Sequence, residues 1–339
     1  MVICLLGKSG LSITHNFEFQ KKITLSTPML IRSFDVLDKT IYIRASNASI
    51  YCTDLNGNIK RTIGRKGKGP GEFEYISDFC LTHKKLFITG GGHKISVFDL
   101  QGKLQKEYKI KEFVLSMTIS NKEPIYISNE FNFRKRTRYL NLRNLKNTLI
   151  ASFADETRVN ARLPSGKIVA FPWMVAPYPN KMFCISGNDG ILRIFFTRKK
   201  FFYIINNGRL QKEFYKFKFK TELITKKDKN DFWNQMEKGT GKKFPRSTKA
   251  SITFPEKKPL FIGAILWDMD FALLQKDHFI IISKNGDFKF RVNFPKALDN
   301  YKSGDPNLFI SKMLKFINNS IYFSDEEDLF VYDLIKTKE

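Results

Sequence analysis

A chain of 339 residues that is 42% apolar can bury a substantial core, and its 33 Phe and 12 Tyr against 3 Trp favour pleated, half-buried surfaces over helices. Its 58 Lys and Arg against 33 Asp and Glu give a formal charge of +25, so anionic surfaces attract it at low salt. The lysines scatter through the whole chain, as on a solvated basic surface, and do not by themselves mark a nucleic-acid site.

The N-terminus opens with Met1-Val-Ile-Cys-Leu-Leu6 and turns polar at Gly7, an apolar run too short for a signal peptide or a membrane span. It reads as a cytosolic start or as the remnant of a longer leader. Residues 1–16 are expected to form a flexible segment. Phe17 to Leu25, FEFQKKITL, reads as a strand and is similar to two later ones, KLQKEYKI and RLQKEFYKF.

From there the chain repeats itself. Asp54-Leu-Asn-Gly57 and Asp99-Leu-Gln-Gly102 each follow an aromatic-containing strand and precede another, Ile59 to Ile63 and Leu104 to Ile110, with the two glycines 45 residues apart. A degenerate copy is read at Asn141-Leu-Arg-Asn144, and others at Asn206-Asn-Gly208, Lys284-Asn-Gly286 and Asp333-Leu334. Each is a hairpin signal, a short polar turn between apolar or alternating runs. Shorter strands lie upstream of the turns, such as Thr40 to Arg44, Lys85 to Thr89, Pro124 to Ser128 and Ser320 to Ser324. Four strands in about 40 to 50 residues make a propeller blade.

The expected fold class is therefore all-β, a single six-bladed β-propeller over residues 17–339. The last repeat stops after its third strand, so Phe17 to Leu25 is expected to supply the missing outer strand and close the ring. Two stretches exceed the repeat: Asn144 to Gly208 spans 64 residues and Gly208 to Gly286 spans 78. In the second, residues 222–259 read as an insertion. Its short amphipathic helix, Lys227 to Met236, has Phe232, Trp233 and Met236 on one side, and a Lys-rich loop with Gly239, Gly241 and Pro245 follows. A degenerate seventh blade is the alternative.

The segment Ile63-Gly-Arg-Lys-Gly-Lys-Gly-Pro-Gly-Glu-Phe73 resembles the GxGPGEF junction of bacterial six-bladed propellers related to the NHL-repeat family. Ile252-Thr-Phe-Pro-Glu-Lys-Lys-Pro259 is similar to the FPxxxP stretch before their fifth blade. The resemblance implies a scaffold with no assigned chemistry to carry over, and it suggests the cell envelope. Read physically, Gly64, Gly67, Gly69 and Gly71 permit unusual backbone angles, Pro70 stiffens the turn and Phe73 can plug between two blades. A phosphate loop is not indicated, because GxxxxGK[ST] is missing and Glu72 would repel a phosphate.

Cys4, Cys52, Cys80 and Cys184 form no CxxC pair and have no neighbouring histidines, so neither a zinc site nor a disulfide framework is indicated. His15, His83, His93 and His278 match no ligand spacing. Asp325-Glu-Glu-Asp328 reads as a solvated acidic turn, and Asp54, Asp99 and Asp333 as turn caps. No catalytic residue, metal ligand or cofactor is assigned.

The candidate binding residues are Arg65, Lys66, Lys68, Arg134, Lys135, Arg136 and Trp233, with Lys242, Lys243, Arg246, Phe131 and Phe133 beside them. All fall in loops that a propeller gathers on one face, and cations among rings suit anionic polymers or acidic sugars. The leading expectation is a non-enzymatic, monomeric propeller that binds or scaffolds a protein or an anionic polymer. A nucleic-acid or polyanion binder is one rival, and a hydrolase or lyase with a channel-mouth site is the other.

Overall fold

The computed structural model of the protein describes residues 15–91, 93–132, 137–155, 158–162, 168–175, 181–187, 189–199, 201–211, 222–252, 254–275, 278–285, 287–293, 314–325 and 327–336. An isolated strand, β1 (His15–Thr24), precedes blade 1, which is β2 (Ile31–Leu37), β3 (Thr40–Ala45), β4 (Ile50–Thr53) and β5 (Ile59–Ile63). After the short pair β6 (Arg65–Lys66) and β7 (Glu72–Phe73), blade 2 is β8 (Ile76–Leu81), β9 (Lys85–Gly90), β10 (Lys94–Asp99) and β11 (Leu104–Lys109). Blade 3 is β12 (Val114–Ser120), β13 (Glu123–Asn132), β14 (Thr137–Asn144) and β15 (Leu149–Ala154). A hairpin of β16 (Arg158–Arg162) and β17 (Ile168–Val175) leads to blade 4, made of β18 (Met182–Ser186), β19 (Leu192–Phe196), β20 (Phe202–Asn206) and β21 (Arg209–Gln211). Helices α1 (Lys226–Thr240) and α2 (Arg246–Ser251) follow. Blade 5 is β22 (Gly263–Trp267), β23 (Asp270–Leu274), β24 (His278–Ile282) and β25 (Phe288–Asn293), and blade 6 begins with β26 (Leu314–Ile317), β27 (Ser320–Ser324) and β28 (Asp328–Lys336).

Each blade is an antiparallel sheet running from an inner strand outward in chain order. The pattern of burial explains the order. Middle strands such as β9 and β19 are covered on both faces and read as apolar runs, whereas the outer strand β11, LQKEYK, exposes Gln105, Lys106 and Lys109. The inner strands β2, β8, β12, β18, β22 and β26 pack side by side in a closed ring.

The turns confirm the repeat and correct its register. Asp54 accepts from the amides of Asn56 and Asn58, and Asp99 from those of Gln101 and Lys103, as turn caps do. In blade 3 the same bonds come from Lys146 and Thr148 to Asn144, and the left-handed residue is Asn147 at φ 61°. The third copy is therefore Asn144-Leu-Lys-Asn147, not Asn141 to Asn144, which restores the 45-residue spacing from Gly102. Asn141 lies within β14, where it donates to Glu130 and accepts from Ser152. Asp333 caps no turn: β28 runs on to Lys336 because β1 pairs along it, and the Asp333 carboxylate accepts from the Ser320 hydroxyl.

Closure follows the expected route. Strand β1 runs antiparallel to β28 with Phe17 opposite Leu334, Phe19 opposite Tyr332 and Ile23 opposite Leu329. It starts at His15, two residues before the apolar pattern suggests, and His15 also pairs in parallel with Val292 of β25. Ile23 is buried with Ile41, Ile43, Leu329 and Val331, a burial that contributes about 1.5–3 kcal/mol. Lys22 reaches Asp328 at 2.6 Å, so that carboxylate of the acidic turn is paired and nearly buried, not solvated.

Neither long spacing conceals a seventh blade. The first holds the β16–β17 hairpin, which sequence reading missed, and the second holds the two helices. Helix α1 starts at a capping box between Thr225 and Asp228 and ends at Gly241, φ 65°. Gly239, expected in the Lys-rich loop, lies in α1, which runs on to Thr240, and α2 starts directly after Pro245. Residues 1–14 with Cys4, the Phe133 to Arg136 segment, Gly286 and Glu326 lie outside the described residues.

Candidate binding face

Strand alternation sends two kinds of loop to one face: those joining one blade to the next, and those joining the second strand of a blade to its third. Backbone bonds between the two kinds tie that face together, with Ser46 donating to Leu30, Ile110 to His93 and Leu260 to Thr197. The helical insertion leaves from and returns to this face, since it connects β21 to β22.

The glycine junction there is a clamp. Phe73 is buried between blades 1 and 2 against Phe98, Ile63 and Leu86. Glu107 of β11 accepts from Lys94 (2.9 Å), Ser96 (2.6 Å) and the Gly71 amide (3.1 Å), and Lys94 donates to the Gly69 carbonyl. Gly71 needs its freedom, sitting at φ 71°.

The cations in this junction are answered within it. Arg65 grips Glu72 through two nitrogens at 2.8 Å, and Lys68 lies 3.4 Å from Glu74. The Gly69 amide and then the Arg65 guanidinium hold the Glu72 carboxyl below the usual carboxylate range. Lys66 is exposed on β6. Arg134, Lys135, Arg136 and Phe133 lie outside the described residues, while Phe131 is partly exposed at the end of β13. Lys242, Lys243 and Arg246 are exposed on the insertion. Trp233 is not presented to solvent: it packs with Ile252, Phe232, Met236, Phe244 and Phe254 in a small core of the insertion's own.

A different set of residues recurs on this face. The residue immediately before the inner strand is Leu30 in blade 1, Tyr75 in blade 2 and Phe113 in blade 3, and these are 40%, 43% and 39% exposed; in blade 5 the exposed residue is Ile262, at 44%, which stands one place further along beside Arg32 and Leu115 in the register, since Gly263 pairs with Leu274 as Ser33 pairs with Arg44. Equivalent positions in a ring of blades lie on a circle around the channel mouth. In blade 4 the place is taken by Lys181, and in blade 6 it falls outside the described residues. A β-bulge marks the start of β2, β8 and β12, and in blades 1 and 3 the extra residue, Arg32 and Leu115, is exposed. The backbone amide of Ile262 donates to Leu274, and the Phe113 and His93 rings meet edge to face with centroids 6.2 Å apart.

Along the inner strands, polar groups join neighbouring blades. Arg44 donates to the Ser33 hydroxyl and to the Ile76 carbonyl of blade 2, Asp78 accepts from the Met117 amide of blade 3, and Lys315 of blade 6 meets Asp35 of blade 1 at 3.3 Å. Burial pushes the Arg44 guanidinium below its ordinary value and Asp78 opposes that. Elsewhere burial raises the Cys52 thiol to about 12, so it packs as an apolar group and is not a thiolate at neutral pH. Among the described residues no group of His, Cys, Asp and Glu is arranged to hold a metal ion, and no helix is long and apolar enough to cross a membrane.

Comparison with solved structures agrees with this architecture. A Bacteroides fragilis NCTC 9343 protein named for inferred export superposes with a TM-score of 0.55 at 12% identity, over 96% of this chain and 99% of that one. A member of the DUF4221 family from Bacteroides vulgatus ATCC 8482 gives 0.51 at 11% identity, over 97% and 100%. Virginiamycin B lyase from Staphylococcus aureus gives 0.48 at 15% identity, over 94% and 100%. Among curated proteins no sequence matches the chain. The family model that does match covers residues 18–303, from the closing strand to ten residues past the last strand of blade 5, and it describes the architecture found here: the chain belongs to the DUF5128 family, a 6-bladed beta-propeller.

Proposed function

We propose that the protein is a non-enzymatic binding propeller that holds a protein partner on the face carrying its blade-to-blade loops. The observation that carries this reading is the ring of exposed Leu30, Tyr75 and Phe113, at the same position in three blades, with Ile262 exposed at the neighbouring position of blade 5. Scattered exposed apolar residues are ordinary, but a set gathered around one opening marks an interaction surface. Two of the four are aliphatic and cannot stack on bases, and Arg65 and Lys68 are already paired with carboxylates, so a polypeptide fits this face better than a nucleic acid. An envelope location, suggested by the family resemblance, belongs to the same reading.

Photo-crosslinking side chains placed at Tyr75 and Phe113, and for comparison at Leu149 and Phe288 on outer strands, test it in the native host. Adducts at the first two positions only, digested by protease and resistant to nuclease, are expected. Equal labelling at all four positions, or nuclease-sensitive adducts, would refute it.

A further inference from the structure

Building on that reading of the ring, we propose that its occupant is an acidic, extended segment of another protein. The segment's apolar side chains lie on Leu30, Tyr75, Phe113 and Ile262, and its carboxylates meet the lysines of the helical insertion.

The insertion stands beside the ring and is pinched off from the blades. Its neck is closed by Ile224 donating to Glu256 and Lys258 donating to Glu222, both at 2.9 Å, with Leu223 opposite Lys257. Leu223 at one side of the neck is 60% exposed, and Ile262 of the ring follows the other side four residues after Lys258. The chain thus runs from the neck of the insertion into Ile262 within four residues.

What the insertion presents above that base is positive. The apolar side of α1 is used up in its own core with Phe244 and Phe254. Residues 222–258 carry 10 Lys and Arg against 5 Asp and Glu, and three of those five acids are engaged, Glu222 and Asp228 by Lys258 and Glu237 by Lys249. Lys226, Lys227, Lys229, Lys238, Lys243 and Arg246 are left exposed. Lys226, Lys227 and Lys229 crowd the start of α1, the positive end of the helix dipole, where stability alone favours acidic residues. Lys229 lies over the Phe254 ring at 5.6 Å, but Lys226 and Lys227 break the local rule at exposed positions, which points to a role in binding.

The chemistry narrows the occupant. A membrane surface would call for an outward apolar stripe on α1, and that stripe faces inward. Nucleic acid would call for stacking rings, and the ring is half aliphatic. An acidic segment with interspersed apolar residues satisfies both halves of the face, the rim setting specificity and the apolar centre affinity.

The test is selection from a phage-displayed library of random peptides on the full chain. Two variant sets are run in parallel: Leu30→Ser with Tyr75→Ser and Phe113→Ser, and Lys226→Glu with Lys227→Glu and Lys243→Glu, the latter also as Gln. Melting curves establish that each is folded. Enriched peptides should be acidic with interspersed apolar residues, and their affinity should fall by about tenfold or more in the Glu set, less in the Gln set, and with added salt. Uncharged peptides, or acidic ones bound equally by the Glu set, overturn the acidic-segment proposal while leaving the ring in place. Peptides retained by the Ser set overturn the ring itself, and no enrichment over bare beads overturns both. A labelled DNA duplex that binds more tightly than the peptides at physiological salt and depends on the same lysines would assign the charge to nucleic acid instead.

Discussion

The ring of Phe17 lies 6.0 Å from that of Trp267, tilted by 60°, so the strand that closes blade 6 also reaches into the core it shares with blade 5. Trp267 in turn stacks on Phe316 at 3.8 Å. A chain starting at Ser26 should therefore melt at a sharply lower temperature and shift the Trp267 emission. Phe17→Ala, at a partly buried position, should cost about 2 kcal/mol in urea unfolding, below the 3–5 typical of fully buried Phe. A chain starting at Ser26 with the melting temperature of the whole protein would show that closure adds no stability.

The glycines of the turns should not be equivalent. Gly57 sits at φ 86° with a virtual Cβ 2.3 Å from the Thr24 carbonyl oxygen, and Gly71 sits at φ 71°. Alanine at either should destabilise by more than about 1 kcal/mol. Gly69 has no left-handed angle and its nearest obstacle is the movable end of Glu72 at 3.0 Å, so Gly69→Ala should cost less. Thermal melts of the three variants give the order, and peptide binding should be unchanged in all of them.

Trp233→Ala should unravel the insertion without touching the blades. Among the described residues its ring packs with Ile252, Phe232, Met236, Phe244 and Phe254, all of the insertion. Hydrogen exchange should rise across 226–251 while the β-sheet melting transition stays where it is; a lowered propeller transition would mean that the two cores are coupled.

Acid should reach the insertion through Asp228. Desolvation pushes this carboxyl up, but hydrogen bonds from Thr225 and the Lys258 ammonium outweigh it and hold it at about 2. The folded value is below the unfolded one of about 3.9, so this stabilisation is complete above about pH 4 and is lost as pH falls towards 2. Asp228→Asn should lower the helical circular dichroism signal at neutral pH and flatten its change over that window.

The blades were legible because their turns demand residues with left-handed angles, and Gly57, Gly102 and Gly208 announce them at the right distance. Blade 3 was misread by three residues because asparagine fills that role at Asn147 while another, Asn144, serves as the cap. The closing strand was legible because its pattern matched a vacancy at the other end of the chain. Side-chain pairing was not: nothing local says that Glu72 turns back on Arg65, or that Phe244 and Phe254 cover Trp233. The ring escaped notice since each member is a single apolar residue ahead of a strand. Only blades aligned on their first strands reveal the recurrence of Leu30, Tyr75 and Phe113, with Ile262 one place further along.

The most direct test of the account places a photo-crosslinker at Ile262 and asks whether its adduct survives the change of Leu30, Tyr75 and Phe113 to Ser. The three side chains are about two-fifths exposed, so their replacement should leave the melting temperature nearly unchanged. The account predicts that the protein adduct at Ile262 disappears while the variant stays folded. An adduct of undiminished yield would contradict it, because a partner indifferent to the other three positions is not seated on the ring.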